Sequence, residues 1–343
     1  MNTSLSEFKE TVLDQLLALL WRQWSAIGVS GYSGSEETKV VDPEALLLLT
    51  LTVARYDARL FDEVLDWLVV NGDYLNVQRL QGLVKQFDFQ ATAELNAVAE
   101  LLGQKSSVAL KWKKLATQYV RKKKQPLFYM KDGRPMPTPK DCDEIFSRHG
   151  LLRPPVKMRN LSQPFPREGM PTLLLRLRAL LGVNLRCEIL CLLGSVDEIH
   201  PSLIAKLIGQ NPRSTQNVLA EMVRSGVVQV RTSAREKIYS LSPGVLDRLL
   251  RPEGITPWQN SVPLFRALEI LWLGLSDPKR QTLDTLMLAS EWRRLAKDMK
   301  TLLGDAGMGQ PLRETSSFAG EKYFEVFQDD VRKVLDRLQL NRG

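Results

Sequence analysis

Histidine and cysteine are scarce in this chain: its 343 residues hold 2 His and 3 Cys. Three cysteines, Cys142, Cys187 and Cys191, cannot build a disulfide framework, and such usage fits a reducing cytosol. Cys187 and Cys191 stand one helical turn apart with no His or further Cys beside them, so they read as small core residues, not as a metal or redox pair. His149 falls in a proline-rich stretch and His200 just before a short helix, and neither has a visible nucleophile or orienting partner. Phosphate loop, His-Glu-x-x-His and Gly-x-Ser-x-Gly signatures are also lacking, so neither an enzyme nor a cofactor or metal is expected. Long apolar runs are missing too. The longest, residues 45–54 interrupted only by threonines, falls far short of the ~20 residues needed to span a bilayer. Glu7 and Glu10 precede the first apolar stretch, which is wrong for a secretory signal. The expected setting is the cytoplasm, with no membrane partner.

Acidic residues are not scarce overall, but they are unevenly placed. Residues 1–105 hold 8 basic and 15 acidic side chains, 106–170 hold 15 and 5, 171–252 hold 11 and 6, and 253–343 hold 13 and 13. The net charge of +8 is therefore concentrated in the middle of the chain, as in a polyanion binder.

The pattern along the chain predicts a mainly α protein in four parts. Residues 1–105 read as an acidic all-helical domain, with apolar residues at helical spacing in 5–24, 45–55, 60–70, 75–87 and 91–102. Asp42-Pro43 supplies an N-cap and a first-turn proline for one of these helices. The 60–87 pair has helix-turn-helix spacing, but its acidity points to packing, dimerisation or a protein partner. Residues 106–171 read as a basic helix ending in Arg121, Lys122, Lys123 and Lys124, then a linker carrying nine of the 18 prolines, which forbid long helices or central strands. A short helix is expected near 141–148. The four cations are candidate contacts to a nucleic-acid backbone.

The most informative stretch lies in 172–252. Residues 204–219 read as two short helices joined by a tight turn, followed by apolar-polar alternation at 227–231 and 238–241. Asn211 is an N-cap candidate, Pro212 fits the first helical position, and Gly226 suits the residue after the helix end. On a helical wheel Val218, Leu219, Met222 and Val223 cluster on one side. Arg213, Ser214, Gln216, Asn217, Ala220 and Arg224 are left to face outward. Arg reads guanine O6 and N7, Asn or Gln reads adenine N6 and N7, and a small apolar group meets the thymine methyl. Arg231, Thr232, Ser233, Arg235 and Lys237 on the hairpin suit phosphates or a minor groove.

These residues carry a resemblance. Ala205 to Gly209, Asn211 to Thr215, Gly226-Val227-Val228 and Tyr239-Ser240-Leu241 resemble the winged helix-turn-helix domain of ArsR- and MarR-type bacterial transcription regulators, over residues 184–242. The resemblance implies a recognition helix in the major groove of double-stranded DNA and a wing beside it. The Cys or His ligands of metal-sensing members are not at any matching spacing.

A second, degenerate copy is expected in 253–343. Glu188-Ile189-Leu190-Cys191-Leu192 is echoed by Glu269-Ile270-Leu271-Trp272-Leu273, Glu236-Lys237-Ile238-Tyr239 by Glu321-Lys322-Tyr323-Phe324, and Val245-Leu246-Asp247-Arg248-Leu249 recurs at Val334 to Leu338. Its reading helix would open at Ser290-Glu291-Trp292, with an acid and an indole where small polar groups are wanted, and a second hairpin would follow, with the cation-free tip Thr315 to Gly320 and a strand at Glu321 to Phe324. The expected function is that of a sequence-specific DNA-binding regulator, a repressor acting as a homodimer on a near-palindromic site. Two alternatives share the charge pattern: a winged-helix protein-interaction subunit of a larger assembly, and a sequence-independent DNA-binding accessory factor of replication or defence.

Overall fold

A computed structural model describes residues 5–31, 34, 37–105, 109–116, 124–233, 236–244 and 259–340. The protein is mainly helical with small sheets, as expected. Helix α1 spans Leu5–Ala26, α2 Pro43–Val53, α3 Ala58–Asn71, α4 Val77–Phe87, α5 Thr92–Lys105 and α6 Ala109–Ala116. In α1 the buried residues Phe8, Val12, Leu16, Leu20 and Trp24 recur every four positions and form one stripe. Helix α2 is buried at every position. The longest apolar run of the chain is thus a buried helix, and no helix among the described residues is long and apolar enough to cross a membrane. Asp42 caps it by accepting from Ala45 N at 3.1 Å, with Pro43 in the first turn. The turn after α1 needs glycine: Gly28 has φ +111°, and a Cβ there would sit 3.3 Å from Pro166 Cδ.

The proline-rich stretch, expected as a linker, is packed down. Leu127, Phe128, Phe146 and Leu151 are buried in the same core as α1–α5. Two-residue strands β1 (Gln125–Pro126) and β2 (Leu151–Leu152) pair in parallel, and the expected short helix forms as α7, Glu144–Arg148. The backbone N–H groups that the prolines leave free find side-chain acceptors. Asp66 accepts from the backbone N of Asn160, Leu161 and Ser162 at 2.9–3.0 Å, and Asn71 Oδ1 from Phe165 N at 3.0 Å. Arg153 lies between the Phe128 and Phe146 rings and pairs with Asp62 at 2.8 Å. Composition correctly excludes long helices and central strands here, but it is silent on docking.

Helices α8 (Leu173–Leu181), α9 (Leu185–Gly194), α10 (Pro201–Leu207) and α11 (Pro212–Arg224) precede a hairpin of β3 (Val228–Ser233) and β4 (Glu236–Leu241). They close around a second core containing Leu177, Ile189, Leu193, Ile204, Leu219, Met222, Val228 and Tyr239. Three long helices follow: α12 (Ser261–Ser276), α13 (Thr285–Asp305) and α14 (Lys322–Leu340).

The second hairpin is not formed. Lys322-Tyr323-Phe324, expected within a strand, open α14 instead, with Glu321 in the turn before it. Tyr323, Phe327, Val331, Val334, Leu335 and Leu338 are all buried, a helical period that overrides the four-residue likeness to the first hairpin. Trp292 lies inside α13, buried and stacked on Phe327 with ring centroids 5.3 Å apart. These three helices share the first core with α1–α5 and are not closed on themselves. The Glu188/Glu269 echo does hold in one respect, since both carboxylates are buried on helices. The counterpart at 245–249 lies outside the described residues.

Candidate nucleic-acid interface

The helix pair α10–α11 is punctuated by the residues that the sequence marks. His200 caps α10, with Pro201 in the first turn. The turn passes through Gly209 at φ +64° and closes on Asn211, whose Oδ1 accepts from Arg213 N at 2.9 Å and Ser214 N at 3.3 Å. Helix α11 ends with Gly226 at φ +76° just beyond it. Replacing Asn211 with Ala should cost about 1 kcal/mol of stability, as lost caps do; urea unfolding measures it, and a change below a few tenths would contradict the cap's role.

Thr215, Leu219 and Met222 of α11 are buried against the second core. Arg213, Ser214, Gln216, Asn217, Ala220 and Arg224 are all exposed. Arg213 and Arg224 have no ion pair among the described residues. Glu221, at the edge of this face, is engaged by Arg186. The hairpin runs in register from Val228↔Leu241 to Ser233↔Glu236 and is tied to the loop before α10 by Ile199↔Tyr239, with two hydrogen bonds of 2.9 Å. Arg231, Thr232 and Lys237 are exposed on it, and Arg231 pairs with Glu198 at 2.7 Å. Ser233 ends β3. Arg235 lies outside the described residues, as do Arg121, Lys122 and Lys123, while Lys124 is exposed.

Cys187 and Cys191 are buried in the second core, and burial pushes the Cys187 thiol up to about 11. His149 Nε2 lies 2.7 Å from Glu100 Oε2, a partner that sequence does not reveal.

Sequence reasoning also misses what holds this unit in place. Arg178 of α8 is fully buried and donates to both Glu44 oxygens at 2.7 and 2.9 Å, to Glu188 Oε1 at 2.6 Å and to the Tyr74 carbonyl at 2.8 Å. Glu44 also accepts from Arg79 at 2.8 Å, and Arg79 clamps Asp42 at 2.5 and 2.7 Å. Arg79 Nε reaches the Ile208 carbonyl, one residue before the turn into α11, at 3.4 Å. Gly209 meets α4 closely, since a Cβ there would lie 3.0 Å from Leu83. Burial works against all these charges. Even so, the neighbouring carboxylates hold both guanidinium groups firmly protonated, and Arg79 keeps the Asp42 carboxyl below its ordinary value. One signal was available: Arg178 stands, with Arg176, inside the otherwise apolar run 173–181.

Comparison with models of protein families, with curated proteins and with solved structures finds no match for this chain.

Proposed function

We propose that residues 172–252 form a winged helix-turn-helix unit that reads double-stranded DNA, with α11 in the major groove and the β3–β4 hairpin as the wing beside it. The observation that carries this reading is the outer face of α11. Its six candidate contact residues are exposed together, on a helix whose opposite face is anchored in a core. The face offers the donors and acceptors that discriminate base edges, and its two arginines are free to meet a duplex. Arg231, Thr232 and Lys237, exposed on the hairpin, would contact the flanking backbone. The protein would act as a repressor, as a homodimer on two half-sites about one helical turn apart.

Binding of a labelled duplex, followed by fluorescence anisotropy over a salt series, tests the reading. Affinity should fall steeply with salt as counterions are released. Flat salt dependence, or no retention of any duplex at moderate salt, would sink it.

One observation favours a second reading, a protein-interaction subunit. Arg231 and Arg186 near the face are each engaged by a carboxylate, Glu198 and Glu221, which lowers the positive field a duplex would meet. Capture of one stoichiometric protein partner, without DNA retardation, would support that reading.

A further inference from the structure

A cavity of about 540 Å³ opens at the start of α1, lined by Leu5, Ser6, Lys9 and Glu10, by Met130, Lys131 and Asp132, and by Leu275 of α12. That volume lies within the ~300–1,000 Å³ of small-molecule sites. Lys9 is 6% exposed, and its Nζ has no hydrogen-bond partner among the described residues. A buried ammonium without an acceptor is costly, and structures rarely retain one unless something supplies the missing charge.

The other charges on these walls are already committed or solvated. Lys131 pairs with Asp14 at 2.6 Å, Asp132 accepts from Arg134 N at 2.8 Å and Nε at 2.7 Å, and Glu10 is exposed. Gly133 packs close to the ammonium, and a side chain there would crowd it, since a Cβ would stand 3.1 Å from Nζ.

We propose that this cavity binds a small monocarboxylate with an apolar body, with Lys9 Nζ as the charged donor and Leu5, Met130 and Leu275 against the apolar part. Lys131 is paired with Asp14, so Lys9 Nζ is the one lining cation without a partner among the described residues. One carboxylate matches that single charge, whereas a dianion such as phosphate would bring a second negative charge to a wall that also carries Glu10 and Asp132. Burial lowers the Lys9 pKa and the charge of Asp132 opposes this; a bound carboxylate would oppose it further. The inference does not depend on DNA binding.

The test uses the full chain and 8-anilinonaphthalene-1-sulfonate, an apolar monoanion, displaced by benzoate. Saturable binding at one site is expected, with benzoate competing. Lys9→Met should weaken both anions about tenfold or more, the worth of a hydrogen bond to a charged group, while Lys9→Arg retains most of the affinity. Met130→Trp, which narrows the cavity and leaves Lys9 in place, should also weaken binding. It decides the matter if Lys9→Met does not fold. Wild-type affinity in folded Lys9→Met, unchanged binding in Met130→Trp, or failure of benzoate to compete would overturn the proposal.

Discussion

Replacing Arg178 with Met is expected to destabilise the protein by about 3–5 kcal/mol, the usual cost of removing one partner from a buried ion cluster. Arg178 is fully buried and bonds to Glu44, Glu188 and the Tyr74 carbonyl. With it gone, Glu188 would lose its ion pair, and Asp42 and Glu44 would be left with one guanidinium, that of Arg79. Lysine should rescue little, because a point ammonium cannot reproduce a fork engaging two carboxylates at once. Adding Glu44→Gln to Arg178→Met should cost far less than the sum of the two single changes, since the partners act as a unit. Thermal and urea unfolding measure all four proteins. A loss below 1 kcal/mol for Arg178→Met would mean that the cluster does not hold α8–α11 on the N-terminal helices.

The same cluster sets a response to acid. Burial raises the Asp42 pKa, but Arg79 and the Ala45 N–H outweigh it, and the net shift is downward. A carboxylate with a depressed native pKa contributes stability that is complete above its unfolded value, about 3.9, and is lost as pH falls through the lower native value. Asp42 should therefore leave stability unaffected from neutral pH down to about 5 and cost it below about 4. Asp42→Asn, which keeps a capping side chain, should flatten that acid limb in a pH series of melting temperatures.

The second large effect concerns DNA. Arg213→Ala or Asn217→Ala should each weaken the preferred site by about 1–3 kcal/mol and relax its sequence preference, as loss of a base contact does. Both side chains are exposed, so folding should be unaffected, and circular dichroism with melting checks that. Lys124→Ala, away from the reading face, should instead weaken all duplexes alike and reduce the salt dependence. If all these changes lower affinity equally for preferred and random DNA, α11 does not read bases.

Local chemistry made α11 legible. Asn211-Pro212 at one end and Gly226 at the other fix its length, and its apolar side chains fix the buried face. The first hairpin was legible for the same reason, through alternation flanking a polar tip. The second hairpin was not legible, because the likeness of Glu321–Phe324 to the first hairpin is only four residues long, whereas the helical spacing out to Leu338 decides its state. The Arg178–Glu44 contact joins residues 134 apart in sequence. No periodicity reports such a pairing, and only the oddity of a charge inside an apolar run hints at it. The proline-rich strap was half legible. Its lack of long helices and central strands follows from composition, but its attachment depends on Asp66 and Asn71, about 90 residues upstream of their partners.

Repeated selection of bound duplexes from a random-sequence pool tests the central claim most directly. The expected result is enrichment of one short motif, present as two inverted half-sites about one helical turn apart and lost when Arg213 and Asn217 are both replaced by Ala. A pool that binds yet stays random after several rounds, or the same motif emerging from the doubly substituted protein, would contradict it.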